Sequence, residues 1–190
     1  MFINKSQQTP WTIQNSIGHT IDEYTNQIDH TVGFGAFDSI CSSYSLGGRA
    51  IDIGGGGTDD NSNYCFKKYQ TLLTVFDPFM REEIHNQAVL KEAAKNPFDS
   101  SLSISVLNVI DEKNARHEHI KLCQGVIKNN GNVFFKVWPG DGTDIPEYKD
   151  GYYQSNHSLT FYINEIQDVF GRNNVYVNDV DKIIIARKTS

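Results

Sequence analysis

Cysteine, proline and basic charge are all scarce in this chain. Three cysteines, Cys41, Cys65 and Cys123, stand among 190 residues, odd in number and widely spaced. That excludes a disulfide framework and a Cys-x-x-Cys zinc site, so they read as core thiols. No run approaches the roughly 18 apolar residues that a membrane-spanning helix needs. The opening "MFINKSQQTPWTIQ" has neither the basic start nor the apolar centre of a signal peptide. The expectation is a soluble, cytoplasmic protein with no membrane partner. Lysine and arginine total 17 against 23 acidic residues, a net charge of −6. That balance argues against a protein that grips nucleic acid through many phosphates. A small molecule or a protein side chain is therefore the expected partner. The basic group Lys182, Arg187 and Lys188 reads as a solvated strand edge that discourages pairing. There is no internal repeat and no low-complexity tract.

What is present suits one domain over 1–190, since 38% hydrophobic and 12% aromatic residues supply a sizeable core. An N-terminal helical cap is expected over about 15–46. In "TIDEYTNQIDHTV" (20–32), Ile21, Tyr24, Ile28 and Val32 recur every three or four residues. In "AFDSICSSYSL" (36–46), Phe37, Ile40, Cys41 and Tyr44 do the same, and Gly47 stands where a helix stops. Strands then alternate with helices. The strands are "AIDI", "TLLTVF", "SLSISVLNVI" and "NVFFKVW"; the helices are "YCFKKY", "PFMREEIHNQAVLKEAAK" with Pro78 in its first turn, and "EKNARHEHIKLCQGVIKN". A loop of about twenty residues leads to the helix "LTFYINEIQDVF", and "NVYVN" and "KIIIARK" close the chain across a short turn. Alternation predicts an α/β, doubly wound, mostly parallel sheet, and the short final turn predicts an antiparallel C-terminal hairpin. In such sheets ligands bind beyond the carboxyl ends of the strands.

The first strand runs into "RAIDIGGGGTDD" (49–60), four glycines ringed by carboxylates. A phosphate-binding P-loop is excluded because no Lys follows at the required position. A dinucleotide fingerprint would put Asp59 or Asp60 where its third glycine belongs, facing a pyrophosphate. An NAD-type oxidoreductase is thus the weaker alternative. S-adenosylmethionine carries a sulfonium and an amino group and no phosphate, so acids beside a glycine loop attract it.

Here the sequence resembles the class I S-adenosylmethionine-dependent methyltransferases. The likeness rests on "AIDIGGGGT", with Thr58 in place of their third glycine, on "LLTVFDPF", "SISVLNVI" and "GNVFFKVW", and on the terminal hairpin. "DPFMREEIHN" and "VLNVI" also resemble a small bacterial branch of that family. The resemblance implies a Rossmann-like methyltransferase fold, S-adenosylmethionine as cofactor and S-adenosylhomocysteine as product. It assigns Asp52, Gly54, Gly55 and Gly56 to the cofactor, Asp77 to the ribose, and Pro78 and Phe79 to its surroundings. Asn108 would face both cofactor and substrate, and Tyr24 would cover the cofactor from the N-terminal side. Asp77, 25 residues after Asp52, also has the pattern of a helix N-cap followed by Pro. Phe79 lies against adenine or fills the core. Only "NPFDS" separates one helix from the next strand, so the family's third strand is short or missing.

On the substrate side, Asn108 stands where amino-group methyltransferases carry Asn/Asp-Pro-Pro-Tyr, but Val109, Ile110 and Asp111 replace the rest. It either orients a substrate or satisfies a strand end; Asp111 reads as the next helix's N-cap. His117 and His119, two apart, diverge on a helix and are expected on a solvated face, and no metal is predicted. The loop from Gly140 to Ser158 is the expected recognition element, with Asp141 and Tyr153 as candidate catalytic residues and Asp141 or His157 as proton acceptor. Methyl transfer needs positioning more than a dedicated nucleophile, so the missing triad does not exclude an enzyme. A non-catalytic cofactor-binding module is the alternative of a different class.

Overall fold

A computed structural model describes residues 34–138, 140–149 and 152–189. The expected helix over 20–32, with Tyr24, lies outside the described residues. The elements run α1 (Gly35–Cys41), β1 (Arg49–Ile53), α2 (Asp60–Tyr69), β2 (Leu72–Phe76), α3 (Glu83–Lys95) and β3 (Phe98–Ile104). There follow a 3-10 turn (Leu107–Val109), α4 (Lys113–Gly125), β4 (Ile127–Lys136), β5 (Glu147–Lys149), β6 (Tyr152–Gln154), α5 (Leu159–Phe170), a second 3-10 turn (Arg172–Asn174), β7 (Val175–Asn178) and β8 (Ile183–Arg187). No described helix is long and apolar enough to cross a membrane.

Six strands form one sheet in the order β2-β1-β3-β4-β8-β7. β1 pairs in parallel with β2 and β3, and β3 with β4, while β8 is antiparallel to both β4 and β7. This is the doubly wound sheet with a terminal hairpin. The chain leaves β1 for one neighbour and crosses back to the other, so the carboxyl ends of β1 and β3 flank the switch point. Alternation along the strands splits the core. Ala50, Leu73, Leu102 and Phe134 meet Phe37 and Ile40 of α1 and Cys65 of α2. Ile51, Ile53, Phe76 and Phe135 meet α3, α4 and α5 on the other face. The apolar spacing of α5 is the cleanest of the helices: Leu159, Tyr162, Ile166 and Phe170 are all buried, each contributing about 1.5–3 kcal/mol.

The third strand is absent among the described residues, and β2 is the sheet edge. Leu72 N–H and Phe76 C=O bond towards β1, so the backbone carbonyls of Leu73 and Val75 face outward. Side chains take over there. Ser62 Oγ donates to Leu73 O at 2.6 Å and His85 Nε2 donates to Val75 O at 2.8 Å, which satisfies the carbonyls and blunts the edge against pairing.

Several boundaries differ from the sequence reading. α1 stops at Cys41 rather than Leu46. The helix expected from Pro78 begins at Glu83, after a separate turn. The strand expected to reach Ile110 ends at Ile104, because Ser105 adopts φ +57° and the chain coils into the 3-10 turn. The strand expected over 132–138 starts five residues earlier, at Ile127, and the long loop contains the β5–β6 hairpin. These are tertiary pairings that local propensity does not encode.

Candidate cofactor and substrate site

Each glycine after β1 has its own constraint. Gly54 donates its N–H to Phe76 O at 2.8 Å, and at φ +86° a Cβ there would meet Val106 at 2.6 Å. At Gly55 a Cβ would lie 2.6 Å from Asp52 Oδ2 and 2.9 Å from Val75. At Gly57 it would press on the Met80 carbonyl at 3.3 Å. Gly56 alone, at φ +84°, would point a Cβ into open space. The first two glycines thus admit the protein's own neighbours, and Gly56 is the one that leaves room for a ligand.

Two carboxylates lie beneath this loop. Asp52 is 2% exposed, and burial, reinforced by the charge of Asp77, pushes its carboxyl up to about 7, opposed by a hydrogen bond from Asn61. Asp77, also buried, accepts the Gly56 N–H at Oδ2 (3.0 Å) and those of Phe79 and Met80 at Oδ1 (2.9 and 3.0 Å). A carboxylate has about four acceptor positions, and three are taken here. The alternative reading of Asp77 as the N-cap of the following helix does not hold, since α3 is preceded by Glu82. Asp77 caps instead the turn of Pro78, Phe79 and Met80, closed by Arg81 N–H to Asp77 O at 3.2 Å. Asn86, 1% exposed, brackets the Asp77 backbone, accepting its N–H at 3.3 Å and donating to its carbonyl at 2.8 Å. Arg81 donates from Nε to Gly56 O at 3.0 Å and from Nη2 to Thr58 O and to Asp59 Oδ1, the last at 2.8 Å.

A second group forms at the exit of β3. Asn108, 2% exposed in the 3-10 turn, donates from Nδ2 to Gln154 Oε1 at 3.1 Å, and its Oδ1 is buried with no partner. Ser155 N–H donates to Asn108 O at 2.7 Å, and Ser155 Oγ accepts the Tyr162 hydroxyl at 2.9 Å. Arg116 pins the same turn to α5. It donates to the carbonyls of Ile110 and Asp111 at 2.8 and 2.9 Å and pairs twice with Glu165 at 2.8 Å, both side chains being buried. Tyr153, on β6 opposite Tyr148, is 7% exposed and within electrostatic reach of Arg116 and Tyr162.

The structure therefore brings Asp52, Gly54, Gly55, Gly56, Asp77, Pro78 and Phe79 together around the loop after β1. Asn108 and Tyr153 share the adjoining network, which meets the glycine loop where Val106 lies against Gly54. Asp141 stands on an exposed turn, where hydrogen bonds from the backbone and hydroxyl of Thr143 hold its carboxyl below the usual range. His157 pairs with Asp144 at 3.0 Å and stacks on Phe161 at 3.8 Å. The solvated face expected for the histidines is corrected at His119. It is 2% exposed, bonded to Ser103 Oγ at 2.8 Å, and burial lowers it to about 4. No group of metal-binding side chains occurs among the described residues. Sequence reasoning missed Asn61, Arg81, Asn86 and the Arg116–Glu165 pair. The polar residues of "DPFMREEIHN" were the available signal for two of them, because a guanidinium and a carboxamide so soon after Asp77 are within reach of its backbone.

No family model matches the sequence, and no curated protein matches it. Solved structures do. The sugar N-methyltransferase KedS8 from a Streptoalloteichus species aligns over 92% of this chain and 94% of its own, with TM-score 0.58 and 7% identity. The 1,6-didemethyltoxoflavin-N1-methyltransferase of Burkholderia thailandensis, bound to 1,6-didemethyltoxoflavin and S-adenosylhomocysteine, aligns over 95% and 88% with TM-score 0.58 and 13% identity. A release-factor-specific protein-(glutamine-N5) methyltransferase from Alicyclobacillus acidocaldarius aligns over 92% and 100% with TM-score 0.52 and 12% identity. The chain has the fold of the S-adenosylmethionine-dependent methyltransferases.

Proposed function

We propose that this protein transfers a methyl group from S-adenosylmethionine to a small molecule or a protein side chain. The observation that carries the reading is the pair of buried carboxylates, Asp52 and Asp77, under a glycine loop whose nearest guanidinium, Arg81, is engaged by the loop's own oxygens. An anionic phosphate is repelled there, whereas a ligand bearing a sulfonium and an ammonium compensates the charge. The residues fit that cofactor: Gly56 leaves space, Asp77 keeps one acceptor position for a ribose hydroxyl, and half-buried Phe79 offers a face to adenine.

When bound, S-adenosylmethionine supplies the electrophilic methyl group. The chain's part is to position and desolvate the acceptor. Asn108 Oδ1, buried and without a donor, accepts a hydrogen bond from an N–H or O–H of the acceptor and aims its lone pair. Tyr153 narrows the approach from the β5–β6 hairpin, and Asp141 serves recognition at the exposed end of the loop, since its low pKa makes it a poor base near neutrality. His157, bonded to Asp144 at 3.0 Å, remains the loop's candidate proton acceptor.

Calorimetric titration is expected to give micromolar to submillimolar binding of S-adenosylhomocysteine, weakened by about 1–3 kcal/mol in Asp77→Ala. No heat with either S-adenosyl ligand, together with binding of NADH, overturns the reading. Tight binding with no S-adenosylhomocysteine release against extract or metabolite pools transfers the support to a non-catalytic module.

A further inference from the structure

We infer that Arg81 is a positioning residue that holds the glycine loop in its ligand-accepting shape. The inference rests on the cofactor reading above for its binding consequence, and on hydrogen bonding alone for its structural one. The Gly56 peptide is gripped from both ends by one short segment: Asp77 takes its N–H at 3.0 Å and Arg81 donates to its carbonyl at 3.0 Å. The grip continues along the loop, because Arg81 Nη2 also reaches Thr58 O and Asp59 Oδ1. Asp77 and Arg81 are themselves fixed by the turn between them and by Asn86, which donates to Asp77 O at 2.8 Å and to Arg81 O at 3.4 Å. The polar side chains that follow the "DPFM" turn thus divide the fastening between them. Arg81 holds the loop, His85 the edge carbonyl of Val75, and Asn86 the backbone of Asp77.

The grip matters because Gly56 is free on its other side. Nothing lies within 4 Å of the position its Cβ would take, and its φ of +84° is open to glycine without strain. Four glycines in a row lose more backbone freedom on ordering than any other tetrapeptide, so a loop of this composition needs external fastening to stay put. A guanidinium provides it because its planar fork reaches three oxygens at once; an ammonium cannot span them. The contacts to Asp59 and to Thr58 O are exposed, whereas the one to Gly56 O is part-buried, so the Gly56 contact is the one that holds.

The test compares the full chain with Arg81→Ala, Arg81→Lys and Asp59→Ala by amide hydrogen exchange, S-adenosylhomocysteine titration and thermal unfolding. In Arg81→Ala, exchange over 54–59 is expected to quicken about tenfold or more while β3 and β4 keep their protection, and affinity is expected to fall about tenfold. Arg81→Lys should lie between, and Asp59→Ala should stay within about twofold of the parent. Unchanged exchange over 54–59 overturns the inference, and so does a uniform rise across the whole sheet, which marks general destabilisation. If Arg81→Ala does not fold, Arg81→Lys carries the same comparison. If the parent binds no S-adenosyl ligand, the cofactor reading fails and the exchange measurement still decides the role of Arg81.

Discussion

At the scale of single residues, the acid and the glycines around the loop make separable predictions. The Asp52 carboxyl is raised from 3.8 to about 7 by burial and by Asp77. A raised carboxyl binds its proton more tightly when folded, so its stabilising contribution is complete below about pH 4 and is lost as pH climbs through about 7. Ligand-free protein should lose on the order of 2–4 kcal/mol between those limits from this group. Asp52→Asn should flatten that profile and raise the melting temperature at pH 8; calorimetry at pH 5 and pH 8 checks it. Cofactor binding runs the other way. A cation favours ionised Asp52, so S-adenosylmethionine should bind more tightly at pH 8 than at pH 6, and the uncharged sulfur of S-adenosylhomocysteine should show a weaker trend. The glycines divide similarly. Gly55→Ala would drive a methyl against Asp52 and Val75 and should cost about 1–3 kcal/mol in urea unfolding. Gly56→Ala meets no protein atom and should cost about 1 kcal/mol, from its positive φ, while its methyl occupies the ligand space and lowers cofactor affinity more than stability.

At the scale of elements, the candidate substrate wall is the meeting of three pieces that are remote in sequence. The 3-10 turn at Leu107–Val109 supplies Asn108, the β5–β6 hairpin supplies Tyr153 and Gln154, and α5 supplies Tyr162 and Glu165. Arg116 of α4 ties them together by holding Ile110, Asp111 and Glu165 at once. Removing Glu165 leaves a guanidinium buried without its countercharge, so Glu165→Ala should destabilise the fold by about 3–5 kcal/mol. Chemical denaturation measures this, and a loss below about 1 kcal/mol would show that water reaches Arg116 and that the wall is not closed there. α1 is fastened differently. Burial opposes ionisation of Asp38, but hydrogen bonds from Tyr64, Tyr69 and Lys68 of α2 outweigh it and bring its carboxyl down to about 2.

At the scale of the whole molecule, the sequence by itself determined the architecture and the position of the glycine loop at the end of β1. Short apolar strand segments and period-3.6 helical patterns alternate along the chain, and that alternation permits little besides a parallel sheet with helices on both faces. The same patterns placed α5 correctly at 159–170, because its apolar spacing is unbroken. They also exposed the missing strand, since "NPFDS" is too short to hold one. The glycine loop and both acids were legible because four consecutive glycines and a buried acid at a strand end each carry a local cost that demands a reason. What only the tertiary structure decided is which group answers which. That Gly55 makes room for Asp52 and not for a ligand, that His119 is a core residue, and that Arg81 reaches back across 25 residues to Gly56 are all through-space facts. So is the unpaired Oδ1 of Asn108, a residue whose letter is the same whether it faces water or a closed network. Periodicity reports which face of an element is buried, but hydrogen-bond pairing depends on distances between elements, and those are set only when the sheet and its helices pack.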